Sequence, residues 1–153
     1  MNGEERFDHF INTIENWIKS VGIIEVKKDD EVENILNLGI DQIKSLDYNE
    51  CCAYSYKLSV YAEYIDSLLS KQKIAMDWAD DGIWYIISDK INNYGDKYTK
   101  WQEKYFRSIK ENPLASQILK VKNAASARIK ILEDKSQNIK RLSDTLLTLS
   151  KRK

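Results

Sequence analysis

The chain has 153 residues, 42% of them apolar and 31% charged, with a formal net charge of zero. That is about one domain with enough apolar mass for a core, which excludes a disordered chain. Five Gly and one Pro are too few turn residues for an all-β fold, and no apolar run approaches the roughly 18 residues of a membrane span. The start, MNGEERFDHF, has no basic segment followed by an apolar one, so no secretory signal is expected and the cytoplasm is the expected location.

Phe7, Phe10, Ile11, Ile14, Trp17, Ile18 and Val21 form one apolar stripe at helical spacing. They predict a first helix over about Glu4 to Ser20, with Gly22 as its C′ residue. Ile23 to Val26 reads as a linker. Asp29 and Asp30 suit the start of a second helix, acids at the favoured dipole end, with Val32, Ile35, Leu36, Ile40, Ile43 and Leu46 as its stripe. Asp47 or Asn49 can cap a third, long helix. Its stripe runs Cys51, Tyr54, Leu58, Tyr61, Ile65, Leu68, Gln72, Ala75, Ala79, Ile83 and Ile86 to Lys90, with Gly82 as a weak point and Asn92 to Gly95 as its end. A fourth segment, Asp96 to Glu111, puts Tyr98, Trp101, Tyr105 and Ile109 on one face. Asn112 as N-cap and Pro113 at the first helical position open a fifth helix.

That last helix has the most regular pattern. Leu114, Ile118, Val121, Ala125, Arg128, Leu132, Lys135, Ile139, Leu142, Leu146 and Leu149 alternate in steps of four and three, the 3.5-residue period of a coiled-coil seam. The apolar members of this seam are expected to join copies of the chain. Arg128 and Lys135 interrupt it. Either the seam is rotated locally and Ile129, Ile131 or Ser136 share the contact, or the polar residues set register and oligomeric state. The expected architecture is all-α: a bundle of long antiparallel helices with a heptad-patterned C-terminal helix, forming a homo-oligomer. An acidic N-terminal region (residues 1–46) precedes a long-helix core (residues 47–153).

The zero net charge hides a gradient. Residues 1–50 hold twelve acids and five bases, residues 51–113 nine of each, and residues 114–153 three acids and ten bases. Such a gradient suits an end that binds nucleic acid, or two ends that attract one another between protomers. Cys51 and Cys52 are adjacent and read as buried thiols rather than a disulfide framework. His9 lies far from them, so no zinc spacing exists. Asp77, Asp80 and Asp81 read as a solvated helix face rather than a Mg²⁺ site. No nucleophile elbow, phosphate-binding glycine loop or HExxH occurs. No cofactor and no enzymatic activity is expected.

Thirteen of the sixteen aromatic residues lie between Tyr48 and Phe106, interleaved with Lys57, Lys71, Lys73, Lys90, Lys97, Lys100, Lys104 and Arg107. Bases stack on such rings while cations hold phosphates. The competing reading is that the rings fill a helical core. Core is the reading for Tyr61, Ile65 and Leu68, whereas Tyr56, Tyr85 and Tyr94 stay open to stacking.

Tyr56-Lys57-Leu58 with Tyr61, Tyr64 and Ile65, then Trp84-Tyr85 followed by Ser88 and Lys90, then Leu119-Lys120-Val121 opening a basic C-terminal helix, occur in the order found in the UvsY-type recombination mediators of tailed phages. Residues 51–153 resemble that family. The resemblance implies a non-catalytic oligomer in the host cell cytoplasm that binds single-stranded DNA and helps a RecA-like recombinase displace single-strand-binding protein. Asp80 and Asp81 stand where the family has basic residues, which shifts the expected phosphate contacts to the tail: Arg128, Lys130, Lys140, Arg141, Lys151, Arg152 and Lys153. Trp84, Tyr85 and Lys90 are the mid-chain candidates. The alternative is a helical structural or adaptor protein working through protein–protein coiled-coil contacts, with no nucleic acid.

Overall fold

Asp47 and Asn112 start the two helices on which the rest is built. The Asp47 carboxylate accepts the Glu50 N–H at 2.7 Å, and Glu50 accepts the Asp47 N–H in return, a capping box. Asn112 accepts the Ala115 N–H at 3.1 Å, ahead of Pro113. From these caps run α4 (Tyr48–Ile87, 40 residues) and α6 (Pro113–Ser150, 38 residues), each close to 60 Å long at about 1.5 Å per residue. The computed structural model describes residues 2–20 and 26–153. Before the long pair come α1 (Gly3–Ser20), α2 (Asp30–Leu36) and α3 (Ile40–Ser45); a 3₁₀ turn at Ile91–Asn93 and α5 (Trp101–Lys110) lie between the long helices. No strand occurs among the described residues. Val21, Gly22 and the Ile23–Glu25 part of the expected linker lie outside them, as do the side chains of Ile11, Ile14 and Ile18.

Several boundaries differ from expectation. The second predicted helix is two, because Asn37, Leu38 and Gly39 break it. The Gly39 N–H donates to the Gln42 side chain at 2.8 Å, which restarts the chain as α3 at a new angle. The third helix passes unbroken through Gly82, where an added Cβ would meet nothing closer than Ile118 at 3.8 Å. The fourth segment is helical only from Trp101. Before it, Gly95 adopts a φ of 111°, and a Cβ there would lie 2.3 Å from Thr99 Oγ1, so the turn requires glycine.

The two long helices lie antiparallel and pack along their length. Partners descend on α6 as they ascend on α4: Ser55 with Ser143, Asp66 with Ser136, Gln72 with Arg128, Asp80 with Lys122. Ser55 Oγ donates to the Ser143 carbonyl at 3.0 Å, and Ser143 Oγ donates to the Ser55 carbonyl at 2.9 Å while accepting from Ser59 at 2.9 Å. A hydroxymethyl group reaches a neighbour's main chain only when the two backbones run close together. This register sets Leu58 at the level of Ser143, Ala62 at that of Ile139, and Ile65 at that of Ser136. A large side chain thus meets a small one in successive layers.

The seam of α6 is therefore turned from the predicted one. Ala125, Leu132, Ile139 and Leu146 are buried as expected for interface positions, but Leu132, Ile139 and Leu146 belong to the core formed with α4 of the same chain. Their alternates are Ala115, Ile129, Ser136, Ser143 and Ser150, all buried, each one residue beyond a predicted position. Leu114 and Val121 are left 56% and 55% exposed, and Ile118, Arg128, Lys135, Leu142 and Leu149 are half-buried. On α4 the same turn buries Ser55 and Ala62 in place of Tyr54 and Tyr61. Small residues take the inner line because they allow the close approach, and their larger neighbours flank it.

At the open end, Val32, Ile35 and Leu46 close the core over Cys51 and Leu58. Lys153 Nζ donates to the carbonyls of Lys44 and Leu46, fastening the end of α6 to the start of α4. Ion pairs also join the long helices: Lys73 with Glu133 at 3.2 Å, Asp80 with Lys122 at 2.7 Å, Asp66 with Lys140 at 2.6 Å. No helix among the described residues is long and apolar enough to cross a membrane.

Two outcomes follow from this packing. Ser143→Ala removes the bond from Ser143 Oγ to the Ser55 carbonyl and the one from Ser59, while the Ser143 carbonyl keeps its bond from Ser55, and should cost about 1–2 kcal/mol in urea denaturation, whereas Ser143→Leu must separate the backbones and should cost about 3 kcal/mol; equal tolerance of both would deny the close approach. The Lys140 ammonium, then the Ser136 hydroxyl, hold the Asp66 carboxyl below its ordinary value of 3.8. A lowered carboxylate pKa stabilises the fold above the unfolded value, and that contribution is lost as pH falls through the folded one. The native chain should therefore lose more stability than Asp66→Asn as the pH falls below about 4.

Candidate nucleic-acid interface

Aromatic and basic side chains meet at the end of the hairpin where α4 gives way to α5. The turn that leads into α5 is built by Asp96, whose backbone N–H donates to Thr99 Oγ1 at 3.0 Å and whose carboxylate accepts the Tyr98 N–H at 2.8 Å. The α5 face bearing Tyr105 and Ile109 then packs inward with Ile83, Ile87, Ile91 and Ala115. Trp84 of α4 stacks on Trp101 with centroids 5.4 Å apart, Trp101 stacks on Tyr105 at 5.3 Å, and Phe106 meets Tyr105 edge-on at 5.3 Å. Below the rings Lys122 lies 5.8 Å from the Tyr105 centroid. Burial is the largest single effect on Lys122 and opposes its charge, but Asp80 and Tyr105 together outweigh it and raise the pKa.

This cluster holds its outer rings toward solvent. Trp101 is 54% and Phe106 57% exposed, and the neighbouring Tyr85 and Tyr98 are 87% and 81% exposed. Lys97 Nζ lies over the Tyr98 ring at 5.0 Å. From Ser88 to Glu111 the chain carries six bases and four acids. Arg107 is paired with Glu103 at 2.5 Å, and the Glu111 carboxylate, bonded to the Tyr94 hydroxyl, raises that phenol's pKa. Among the described residues Lys90, Lys100, Lys104 and Lys110 form no ion pair. Asn93, Tyr94, Gly95, Arg107, Lys110 and Glu111 line an open recess of about 520 Å³ on the same end. Rings for bases and cations for phosphates thus stand side by side, the combination that single strands require.

The residues proposed from sequence are distributed differently. Of the mid-chain three, Tyr85 and Lys90 are exposed at this end, while the Trp84 ring is committed to Trp101 and Tyr105. Of the tail residues, Lys140 is paired with Asp66, Lys153 holds carbonyls, and Arg128 is half-buried with Nη1 3.5 Å from Gln72 Oε1. Lys130, Arg141, Lys151 and Arg152 are exposed. Lys130 and Arg141 are eleven residues apart on α6, three helical turns, and so share one outward row with about 16 Å between them, and Arg152 follows in the turn after the helix. Asp134 shares that row, and no aromatic residue occurs beyond Phe106. The tail offers phosphate contacts without stacking. Trp101 and Phe106 were not singled out for stacking in the sequence, although the interleaving of Lys97, Lys100 and Lys104 with rings was the available signal.

Among the described residues no cluster of His, Cys, Asp or Glu could hold a metal ion. Comparison with protein families, with characterised proteins and with solved structures finds no match.

The Tyr105 hydroxyl is buried and makes no hydrogen bond of full geometry among the described residues, its polar influence being confined to the Lys122 ammonium, so the ring carries most of what the cluster uses. Tyr105→Phe should leave the melting temperature unchanged or raise it, since an unpaired buried hydroxyl is costly. Tyr105→Ala should cost about 3–5 kcal/mol. A Phe variant as unstable as the Ala variant would mean that the hydroxyl has an essential partner.

Proposed function

We propose that this protein is a non-catalytic accessory protein that binds single-stranded nucleic acid at the α4–α5 end, with Lys130, Arg141 and Arg152 adding phosphate contacts. The observation that carries this reading is the group of exposed rings, Tyr85, Tyr98, Trp101 and Phe106, beside lysines that form no ion pair among the described residues. Each base stacked on a ring contributes about 1–3 kcal/mol by alanine substitution, and neutralised phosphates make binding fall with salt. The resemblance to recombination mediators supplies the biological setting in this proposal: single-stranded DNA as ligand, a RecA-like recombinase and single-strand-binding protein as partners, and a homo-oligomer as the working form.

A second reading, an adaptor that binds other proteins, is favoured by Ile74 and Trp78. They lie on the outer face of α4, 57% and 78% exposed, with Asp77 and Asp81 exposed beside them. An apolar patch flanked by acids repels phosphate and suits another protein chain.

Fluorescence anisotropy of labelled oligo-dT with the full chain separates the two. On the first reading it binds at about 50 mM salt and weakens steeply by about 300 mM, Trp101→Ala or Tyr85→Ala weakens binding roughly tenfold, and Trp78→Ala changes nothing. Absence of binding at low salt sinks the first reading and leaves the adaptor.

A further inference from the structure

We infer that the groove between the segment entering α2 and the first part of α4 is a binding site for a planar aromatic anion of the nucleoside monophosphate class. The groove measures about 410 Å³, within the range of roughly 300–1,000 Å³ typical of small-molecule sites. Tyr56, Val60, Tyr61 and Tyr64 form its wall, and Lys27 and Lys28 stand at its mouth.

The site is built rather than incidental. The Tyr61 hydroxyl donates to the Lys27 carbonyl at 3.0 Å, and the Lys27 N–H donates to the Tyr64 hydroxyl at 3.3 Å. Two ring hydroxyls from α4 thus hold the Lys27 backbone and fix the segment that bears both lysines over the rings. Tyr61 and Tyr64 are tilted against each other at 5.9 Å. Burial, and then Tyr64, raise the Tyr61 pKa, keeping it a neutral donor. Tyr56, 72% exposed, is left with an open face against which a second ring can lie.

The charges select for an anion. Asp29, which also lines the groove, accepts the backbone N–H groups of Glu31 and Val32 as the cap of α2 and keeps its negative charge, so that Lys27 and Lys28 exceed it by one positive charge. Lys57 is bonded to Glu31 at 2.5 Å, so these two charges offset each other. Lys27 and Lys28 form no ion pair among the described residues. A base against the tyrosines and a phosphate at the two ammonium groups satisfies both halves of the groove; neither a neutral ring nor free phosphate does. The groove lies more than twenty residues from Tyr85 along α4, about 30 Å, so this site stands or falls independently of the single-strand interface.

The test is ¹⁵N NMR titration of the full chain with 2′-deoxyadenosine 5′-monophosphate, with deoxyadenosine, and with inorganic phosphate. The expected result is saturable shifts at Lys27, Lys28 and Tyr56 to Tyr64 with a Kd of about 1 mM or tighter for the nucleotide, and binding roughly tenfold weaker for either half alone. Tyr56→Ala and Lys28→Glu alter exposed side chains and should leave the rest of the spectrum in place while weakening nucleotide binding roughly tenfold. No saturable shift, shifts confined to the α4–α5 end, equal binding of deoxyadenosine, or unchanged binding by both variants overturns the assignment.

Discussion

The reciprocal bonds between Ser55 and Ser143 are the constraint on which the rest of the molecule depends. Each hydroxyl reaches the other residue's main-chain carbonyl across the helix pair, and this is possible only where neither helix carries bulk. A one-residue rotation of α6 would bring Leu142 to that place, and a slide of the pair would set large side chains against each other. The contact therefore fixes distance, rotation and register together. The alternation of Leu58, Ala62 and Ile65 with Ser143, Ile139 and Ser136 carries the same register along the hairpin, and Asp66 and Asp80 reinforce it from the flank.

Because this register commits the inner line of α6 to α4, the tail acts chiefly as half of the core. Leu132, Ile139 and Leu146 are buried within one chain, and part of the basic charge is met by acids of α4. What α6 leaves outside is a sparse row of cations and, nearer its start, the exposed Leu114 and Val121. Nucleic-acid affinity built on that row alone would be electrostatic and unselective.

Stacking requires rings, and rings become available where the hairpin turns. The short α5 cannot be covered on all sides by two helices that end beside it. Its inward face takes Tyr105 and Ile109, and Trp101 and Phe106 are covered on one side only, by ring contacts, which leaves each more than half exposed. The chain enters α5 through the Gly95 turn, whose backbone conformation excludes a side chain. The lysines spaced among the rings keep that apolar surface hydrated. At the other end of α4 the tyrosines follow a different rule: they are tied by hydrogen bonds to the irregular segment ahead of α2, which leaves a walled groove instead of a flat platform.

The all-α class, the long third and last helices, and the caps at Asp29, Asp47 and Asn112 were legible in the sequence, because a helix and its caps are settled by residues within four positions of one another. Half of the seam was legible for the same reason: Ala125, Leu132, Ile139 and Leu146 recur every seven residues whichever neighbour joins them. Of the other half only Ile129 and Ser136 were foreshadowed, by the polar interruptions at Arg128 and Lys135. Apolar periodicity favours Leu114, Val121, Leu142 and Leu149, while the packed pair takes Ala115, Ser136, Ser143 and Ser150, since close backbone approach selects for small volume and not for hydrophobicity. The break at Gly39 and the solvent exposure of Trp101 and Phe106 likewise depend on how separate helices meet. The sequence by itself determined which segments are helical and where they start. Only the tertiary structure decided which face of each helix is the inside, because that choice is made by the shape of the partner and not by the chain that presents it.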